Sequence, residues 1–185
     1  MALGGYKIRN RTGLHFVTFA VVEWVDVFTR EDYRKLFLTS LAYCQEHKGL
    51  ELYSWCLMSN HVHMILRTVD GDLSSVLRDF KKFTAKALIQ AISSNPEESR
   101  RTWMLSIFKQ AGSQNSRNAA YQFWQQDNHP EELFSTAFTQ QKLDYIHNNP
   151  VAAGLVGEAS YYLYSSARDY EEGRHVGFLK VEFLS

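Results

Sequence analysis

Residues 15–22 are almost continuously apolar, short, and rich in β-branched and aromatic side chains, which predicts a strand central to its sheet. The apolar period then changes. Tyr33, Leu36, Phe37, Ser40, Leu41 and Cys44 recur at helical spacing, with Thr29 and Asp32 as an approximate capping box ahead of them and Lys48-Gly49 closing the segment. Residues 50–58 and 61–67 are again strand-like, and Ser59-Asn60 between them has the size and chemistry of a hairpin turn. Gly71-Asp72 opens a second helix. It places Leu73, Val76, Leu77, Phe80, Phe83, Thr84 and Ala87 on a packing side and Arg78, Lys82 and Lys86 opposite them. Residues 93–98 form a loop by composition, a short helix carries Trp103, Ile107 and Phe108, and the polar stretch 110–118 is the expected mobile loop. Residues 121–126 read as a fourth strand and 139–148 as a helix stopped by Asn149-Pro150. The aromatic-rich residues after Gly157 fit neither period.

Strand, helix, hairpin of strands, helix, strand, helix is the order of an α+β sandwich of the ferredoxin-like kind, an antiparallel sheet with helices on one face. A chain of 185 residues suffices for one hydrophobic core, so we expect a single domain over 1–185, with its core at about 14–157 and a tail at 158–185. Hydrophobic residues at 45% and charged residues at 22% exclude a disordered or fibrous class. Twenty Lys and Arg balance twenty Asp and Glu, so a nucleic-acid partner would have to be met by a local basic face. Cys44 and Cys56 are too few for a disulfide framework and lie in apolar surroundings, which suits buried free thiols in a reducing compartment. Met1 to Gly5 carry no signal pattern and no apolar run approaches the ~18 residues of a membrane span, so a soluble cytoplasmic protein is expected.

Three constellations carry candidate chemistry. In a strand His61 and His63 point the same way, with Val62 and Met64 turned into the core, so the two imidazoles can converge on one ion while leaving most of its positions open. By spacing alone the pair reads equally as two ordinary strand histidines. On the helix over 139–148, Leu143 and Ile146 form the apolar side, whereas Gln141, Lys142, Tyr145 and Asn149 cluster on another face. Tyr145 there is either a nucleophile or an amphipathic tyrosine covering the edge of the core. A phenol attacks poorly at its ordinary pKa near ~10, so a catalytic role requires a nearby cation, which a metal site or Lys142 would supply. The stripe Arg78, Lys82 and Lys86, with Lys81 at its margin, suits a phosphate backbone as well as it suits a solvated helix face, and Arg100, Arg101, Lys109 and Arg117 share that ambiguity.

The segment from Met58 through His61-Val62-His63 to Leu66 resembles the His-hydrophobe-His segment of the HUH endonuclease superfamily, in its single-tyrosine transposase family. The segment from Asp144-Tyr145 through Asn149-Pro150 to Val156 resembles that family's tyrosine helix, as Phe123-Trp124-Gln125 and 164–170 resemble further segments in the same order. The branch most similar is the REP-associated tyrosine transposases. Ser59 stands where other members have a proline, a departure confined to the turn.

The resemblance implies a ferredoxin-like nuclease domain in which His61 and His63 bind Mg²⁺ or Mn²⁺, Tyr145 is the nucleophile, and Asn149 takes the place of a polar helper that also serves the metal. The reaction it implies is cleavage and rejoining of single-stranded DNA beside a hairpin, REP-like or at an insertion-sequence end. It would pass through a covalent 5′-phosphotyrosine, in a nucleoid-associated monomer or homodimer. Arg78, Lys81, Lys82, Lys86 and Lys142 are the candidate DNA contacts. A noncatalytic hairpin-binding module of the same fold and a water-using metal-dependent phosphodiesterase are the alternatives.

Overall fold

Alternation along three long strands and one short one gives the sheet two working faces. The strands are β1 (His15–Ala20), β2 (Leu50–Leu57), β3 (His61–Thr68) and β4 (Glu131–Glu132). The computed structural model describes residues 8, 10, 12–69, 71–114, 120–126 and 130–184. It orders the strands β2-β3-β1-β4 with every neighbouring pair antiparallel, which is the ferredoxin-like order. Helices α1 (Glu31–His47), α2 (Leu73–Ser94), α3 (Arg101–Ser113), α4 (Thr136–Ala152) and α5 (Ala167–Glu172) complete the architecture.

Val17 and Phe19 of β1 and Val62, Met64 and Leu66 of β3 are buried in one cluster with Phe37 and Leu41 of α1, Phe80 and Leu88 of α2, and Met104 and Phe108 of α3. The alternate positions Phe16, Cys56 and Ile65 pack instead with Leu143 and Ile146 of α4. The α+β antiparallel architecture is therefore as expected, but helices cover both faces of the sheet rather than one. In β2, Leu52 pairs with Leu66 and Ser54 with Ile65, so Tyr53 is an extra residue in the ladder. That bulge reverses the alternation. Trp55 and Leu57 rejoin the α1–α3 side, and Ser54 and Cys56 turn toward α4.

Several local expectations give way to tertiary contacts. The capping box does not form: α1 begins after Arg30 with no side-chain cap, and the Thr29 hydroxyl donates to the Asp26 carbonyl at 3.4 Å. The first strand ends at Ala20, and Val22–Trp24 is a 3-10 turn. Residues 121–126 are not a ladder strand but touch the sheet through a single bridge, Val21 with Trp124. Phe123 and Trp124 are adjacent yet both buried in the same cluster, which an alternating strand cannot achieve. The fourth strand is the polar pair Glu131–Glu132, beside the start of β1.

Phe83 and Trp103 are exposed rather than packed. The buried stripe of α2, Leu73, Leu77, Phe80, Thr84, Leu88 and Ile92, advances mostly by four residues and so drifts away from position 83. Helix α3 buries Met104, Phe108 and Gly112 and extends through residues 110–113 of the expected loop. Gly112 is required there, because a Cβ would lie 2.8 Å from the backbone of Ala120 and Tyr121. Residues 115–118, with Arg117, and residues 1–5 lie outside the described residues.

Helix α4 runs past Asn149-Pro150 to Ala152 instead of stopping. Pro150 lies in its last turn, where one backbone bond is forgone while the ring is buried and its carbonyl accepts from the Leu155 N–H at 2.9 Å. The C-terminal residues cover the free edge of β2: the Leu57 N–H donates to the Tyr164 carbonyl and the Ser166 N–H to the Trp55 carbonyl, at 2.8 and 2.9 Å. Leu179 and Val181 join the main core. Cys44 and Cys56 are buried and unbonded to each other, and burial pushes the Cys56 thiol up to about 12. Among the described residues no helix is long and apolar enough to cross a membrane.

Candidate active site

The hairpin that opens β3 presents His61 and His63 on the α4 side of the sheet, their ring centroids 4.7 Å apart. Each ring is fixed through Nδ1. Asn60 donates its amide N–H to the Trp24 carbonyl and the Asp26 carboxylate, both at 3.1 Å, so its amide oxygen is the atom 2.7 Å from His61 Nδ1. That contact makes Nδ1 the protonated nitrogen and leaves Nε2 of His61 with its lone pair. Thr18, opposite His63 across the β1–β3 ladder, lies with its hydroxyl 2.7 Å from His63 Nδ1. Burial pulls His61 below the usual imidazole range, and the neighbouring Asn149 side chain, an acceptor for the protonated ring, opposes it. Burial, then the neighbouring His61 and Lys142 charges, lower His63 to about 3. Both rings are therefore neutral at pH 7, the state in which imidazole is a ligand.

Helix α4 supplies the other half. Ser135 caps it by accepting from the Phe138 N–H at 3.2 Å, and Leu143 and Ile146 anchor its inner side. Lys142, Tyr145 and Asn149 then face the histidines, whereas Gln141 is exposed. The Tyr145 hydroxyl lies 3.4 Å from His63 Nε2, the outer limit of a hydrogen bond, and half of the residue is exposed. Phe16 stacks on His63 at 5.6 Å and meets Tyr145 edge-on at 6.1 Å. Lys142 pairs with Glu131 at 2.8 Å and places its ammonium 4.3 Å from the Phe16 ring centroid. All of these groups belong to one chain.

Among the described residues no group of three or more His, Cys, Asp and Glu gathers as a metal site. The donors at hand are two neutral imidazoles, aimed by Asn60 and Thr18, with the Asn149 side chain beside His61. This mixed nitrogen and oxygen set fits a Mg²⁺- or Mn²⁺-type ion that keeps positions open for oxygen ligands of a substrate.

The structure separates the other candidates. Arg78, Lys82 and Lys86 are exposed on α2, which packs on the opposite side of the sheet from the histidines, and Arg78 pairs with Asp79 at 2.9 Å. Lys81 is turned inward, donating to the Gln125 carbonyl at 2.9 Å. Arg100 is engaged with Glu98, Arg101 donates to the Asn95 carbonyl, and Lys109 is exposed.

Phe16, Thr18, Asn60 and Trp24, whose ring stands 5.7 Å from that of His61, join the site without any local motif to mark them. His147 is equally unmarked; it lies 2.9 Å from the Ser166 hydroxyl and 3.2 Å from that of Ser54, tying the back of α4 to β2 and the C-terminal segment. Burial lowers His147 to about 4. Only the strand register brings Thr18 opposite His63, and only the Tyr53 bulge turns Ser54 toward His147.

Comparison with known proteins bears on this arrangement at two levels. A solved structure of a REP-associated tyrosine transposase bound to a REP hairpin superposes with a TM-score of 0.65 at 18% identity, covering 99% of this chain and 94% of that one, which shows a shared fold. A second solved structure, from Deinococcus radiodurans R1, covers 79% of this chain and 97% of its own at 17% identity, with a TM-score of 0.43. A search of curated proteins gives no match. A family model described as "Transposase IS200 like" matches residues 10–119, a stretch that includes His61 and His63 and ends before α4. Since that match spans more than half of the chain, the chain belongs to the IS200-like transposase family.

Proposed function

We propose that this chain is a metal-dependent single-tyrosine transposase that cuts and rejoins single-stranded DNA beside a hairpin, with Tyr145 as the nucleophile. The observation that carries the reading is the Tyr145 hydroxyl, 3.4 Å from His63 Nε2 in the same chain and half exposed, where a phosphate can reach it. His61, His63 and Asn149 would hold Mg²⁺ or Mn²⁺. Such an ion, when bound, supplies positive charge against the phosphate oxygens. The Tyr145 oxygen attacks phosphorus in line, the bond from phosphorus to the 3′-oxygen breaks, the phenol loses its proton and the departing 3′-oxygen ends as a hydroxyl. The 5′-phosphotyrosine preserves the phosphodiester, so a second 3′-hydroxyl can displace Tyr145 and reseal the strand without ATP. Lys142, held by Glu131 beside Phe16, would turn its ammonium toward the phosphate.

A hairpin-bearing partner is supported by the relative of like fold that is bound to a REP hairpin. We read the tyrosine as acting on the histidines of its own chain, with Arg78, Lys82 and Lys86 left as candidates for more distant duplex contacts and Lys81 as a weaker one. A DNA substrate also implies a nucleoid-associated, cytoplasmic protein. The test is a denaturing gel of protein with labelled hairpin oligonucleotide and Mn²⁺. Wild type is expected to give a protein-linked band and a shortened strand, and Tyr145→Phe neither. Cleavage without a linked band points to attack by water, and metal-independent binding without cleavage points to a noncatalytic hairpin-binding module.

A further inference from the structure

Next to the histidines stands a large aromatic residue that the core does not use. Trp24 is 55% exposed, and its ring meets His61 edge-on at 5.7 Å. Its backbone is unusual: Glu23 and Trp24 both sit in the left-handed region, with φ of 51° and 53°, which bulky side chains rarely adopt. The conformation is held by the Trp24 carbonyl, which accepts from Asn60, the residue that also fixes His61. Strain of this kind persists where the surroundings enforce it and clusters at ligand sites.

On the other side of Tyr145 the α4 surface continues in the same chemistry. Phe134 is 83% exposed and its ring lies 5.6 Å from that of Phe138, over which the Lys142 ammonium sits at 5.3 Å. Phe138, Lys142 and Tyr145 follow one another at helical spacing, so the strip leads into the phenol. Two exposed aromatic rings, Trp24 beside His61 and Phe134 just ahead of α4, thus stand on either side of the Lys142–Glu131 pair and a candidate phosphate-reacting centre. Single-stranded nucleic acid is the partner this fits, since its unpaired bases offer faces to stack while its phosphates pass the cation, and duplex bases are already stacked on each other.

We propose that Trp24 and the Phe134–Phe138 pair are two base-stacking platforms that hold unpaired nucleotides on either side of the phosphate presented to Tyr145. The inference rests on the reading that Tyr145 acts on single-stranded DNA, and it makes the three aromatics positioning residues for that reaction. Stacking is tolerant of sequence, so the platforms set where the strand lies and leave the choice of bases to other contacts.

The test measures equilibrium binding, by fluorescence anisotropy, of a labelled dT 20-mer and of an abasic 20-mer with the same phosphates. Wild type is expected to favour dT over the abasic strand. Trp24→Ala and Phe134→Ala are each expected to cut that preference about tenfold, and Trp24→Phe to restore most of it. Thermal melting checks that all three variants remain folded, which substitutions at exposed positions should allow. Equal binding of both strands by wild type, or a preference unmoved by either alanine, overturns the proposal. The adduct assay is read separately. A wild-type adduct with a preference insensitive to Trp24 keeps the nuclease reading and rejects the platforms, whereas a preference lost with Trp24→Ala and no adduct keeps the platforms and rejects the nuclease.

Discussion

The amide of Asn60 has one orientation that satisfies the Trp24 carbonyl and the Asp26 carboxylate, and that orientation selects the tautomer of His61. Removing it leaves the ring free to turn or to protonate the other nitrogen. Asn60→Ala is therefore expected to weaken Mn²⁺ binding about 10- to 100-fold, measured by isothermal titration calorimetry, with Thr18→Val acting in the same direction at His63. An unchanged affinity in both variants would show that the rings are held by packing alone. Phe16 is one candidate for such packing, since it stacks on His63.

At the scale of elements, the site depends on how α4 lies across the sheet. Leu143 and Ile146 fix its rotation, Ser135 starts it, and His147 ties its far side to Ser54 and Ser166. Ser135→Ala removes the acceptor for the Phe138 N–H and should cost about 1 kcal/mol, seen as a fall of about 2–4 °C in Tm by calorimetry. Because the cap lies nearly three turns ahead of Tyr145, the stability loss is expected with little change in the adduct yield of the folded protein. Loss of adduct in full proportion to the cap would mean that α4 frays as a unit. The bulge at Tyr53 works at the same scale, since one added residue brings Ser54 and Cys56 to the helix side of β2.

Across the whole molecule, Glu98 is a buried charge that joins distant segments. Its carboxylate accepts from Arg30 at 2.8 Å and from the Arg100 guanidinium and backbone N–H at 3.1 Å, and Arg100 also donates to the Asp26 carbonyl at 2.8 Å. Asp26 in turn holds Ser59 and Asn60 in the turn before His61. Burial alone would raise the Glu98 carboxyl, but the Arg100 hydrogen bonds and charge, with Arg30, outweigh it and hold the group below its ordinary range. A folded-state pKa below the unfolded value near ~4.3 means stability that is present above that value and lost as pH falls through the folded one. Glu98→Ala should cost about 3 kcal/mol in urea denaturation at pH 7, the lower end for a buried pair because both arginines are one-third exposed. Glu98→Gln should be less stable than wild type at pH 7, with the gap closing on acidification. A gap that stays constant with pH would mean that the carboxylate charge contributes nothing.

Local periodicity was enough to place the elements whose period is strong, namely β2, β3, α1 and most of α2, along with His61 and His63 on one strand face and Tyr145 and Asn149 on one helix face. These follow from backbone geometry, which fixes side-chain direction within a few residues. Local pattern failed where long-range contacts set the answer. Phe123 and Trp124 face one core together, Glu131–Glu132 supply a strand with no apolar signal, and α4 continues through Pro150 because its last turn is packed. The site divides the same way. Two histidines and a tyrosine, 82 residues apart at His63 and Tyr145, were legible as separate candidates, but their 3.4 Å approach required α4 to lie on the face of the sheet that α1–α3 leave free. Thr18, Asn60 and Trp24 gained their roles only from strand register and turn geometry, which no spacing along the chain encodes.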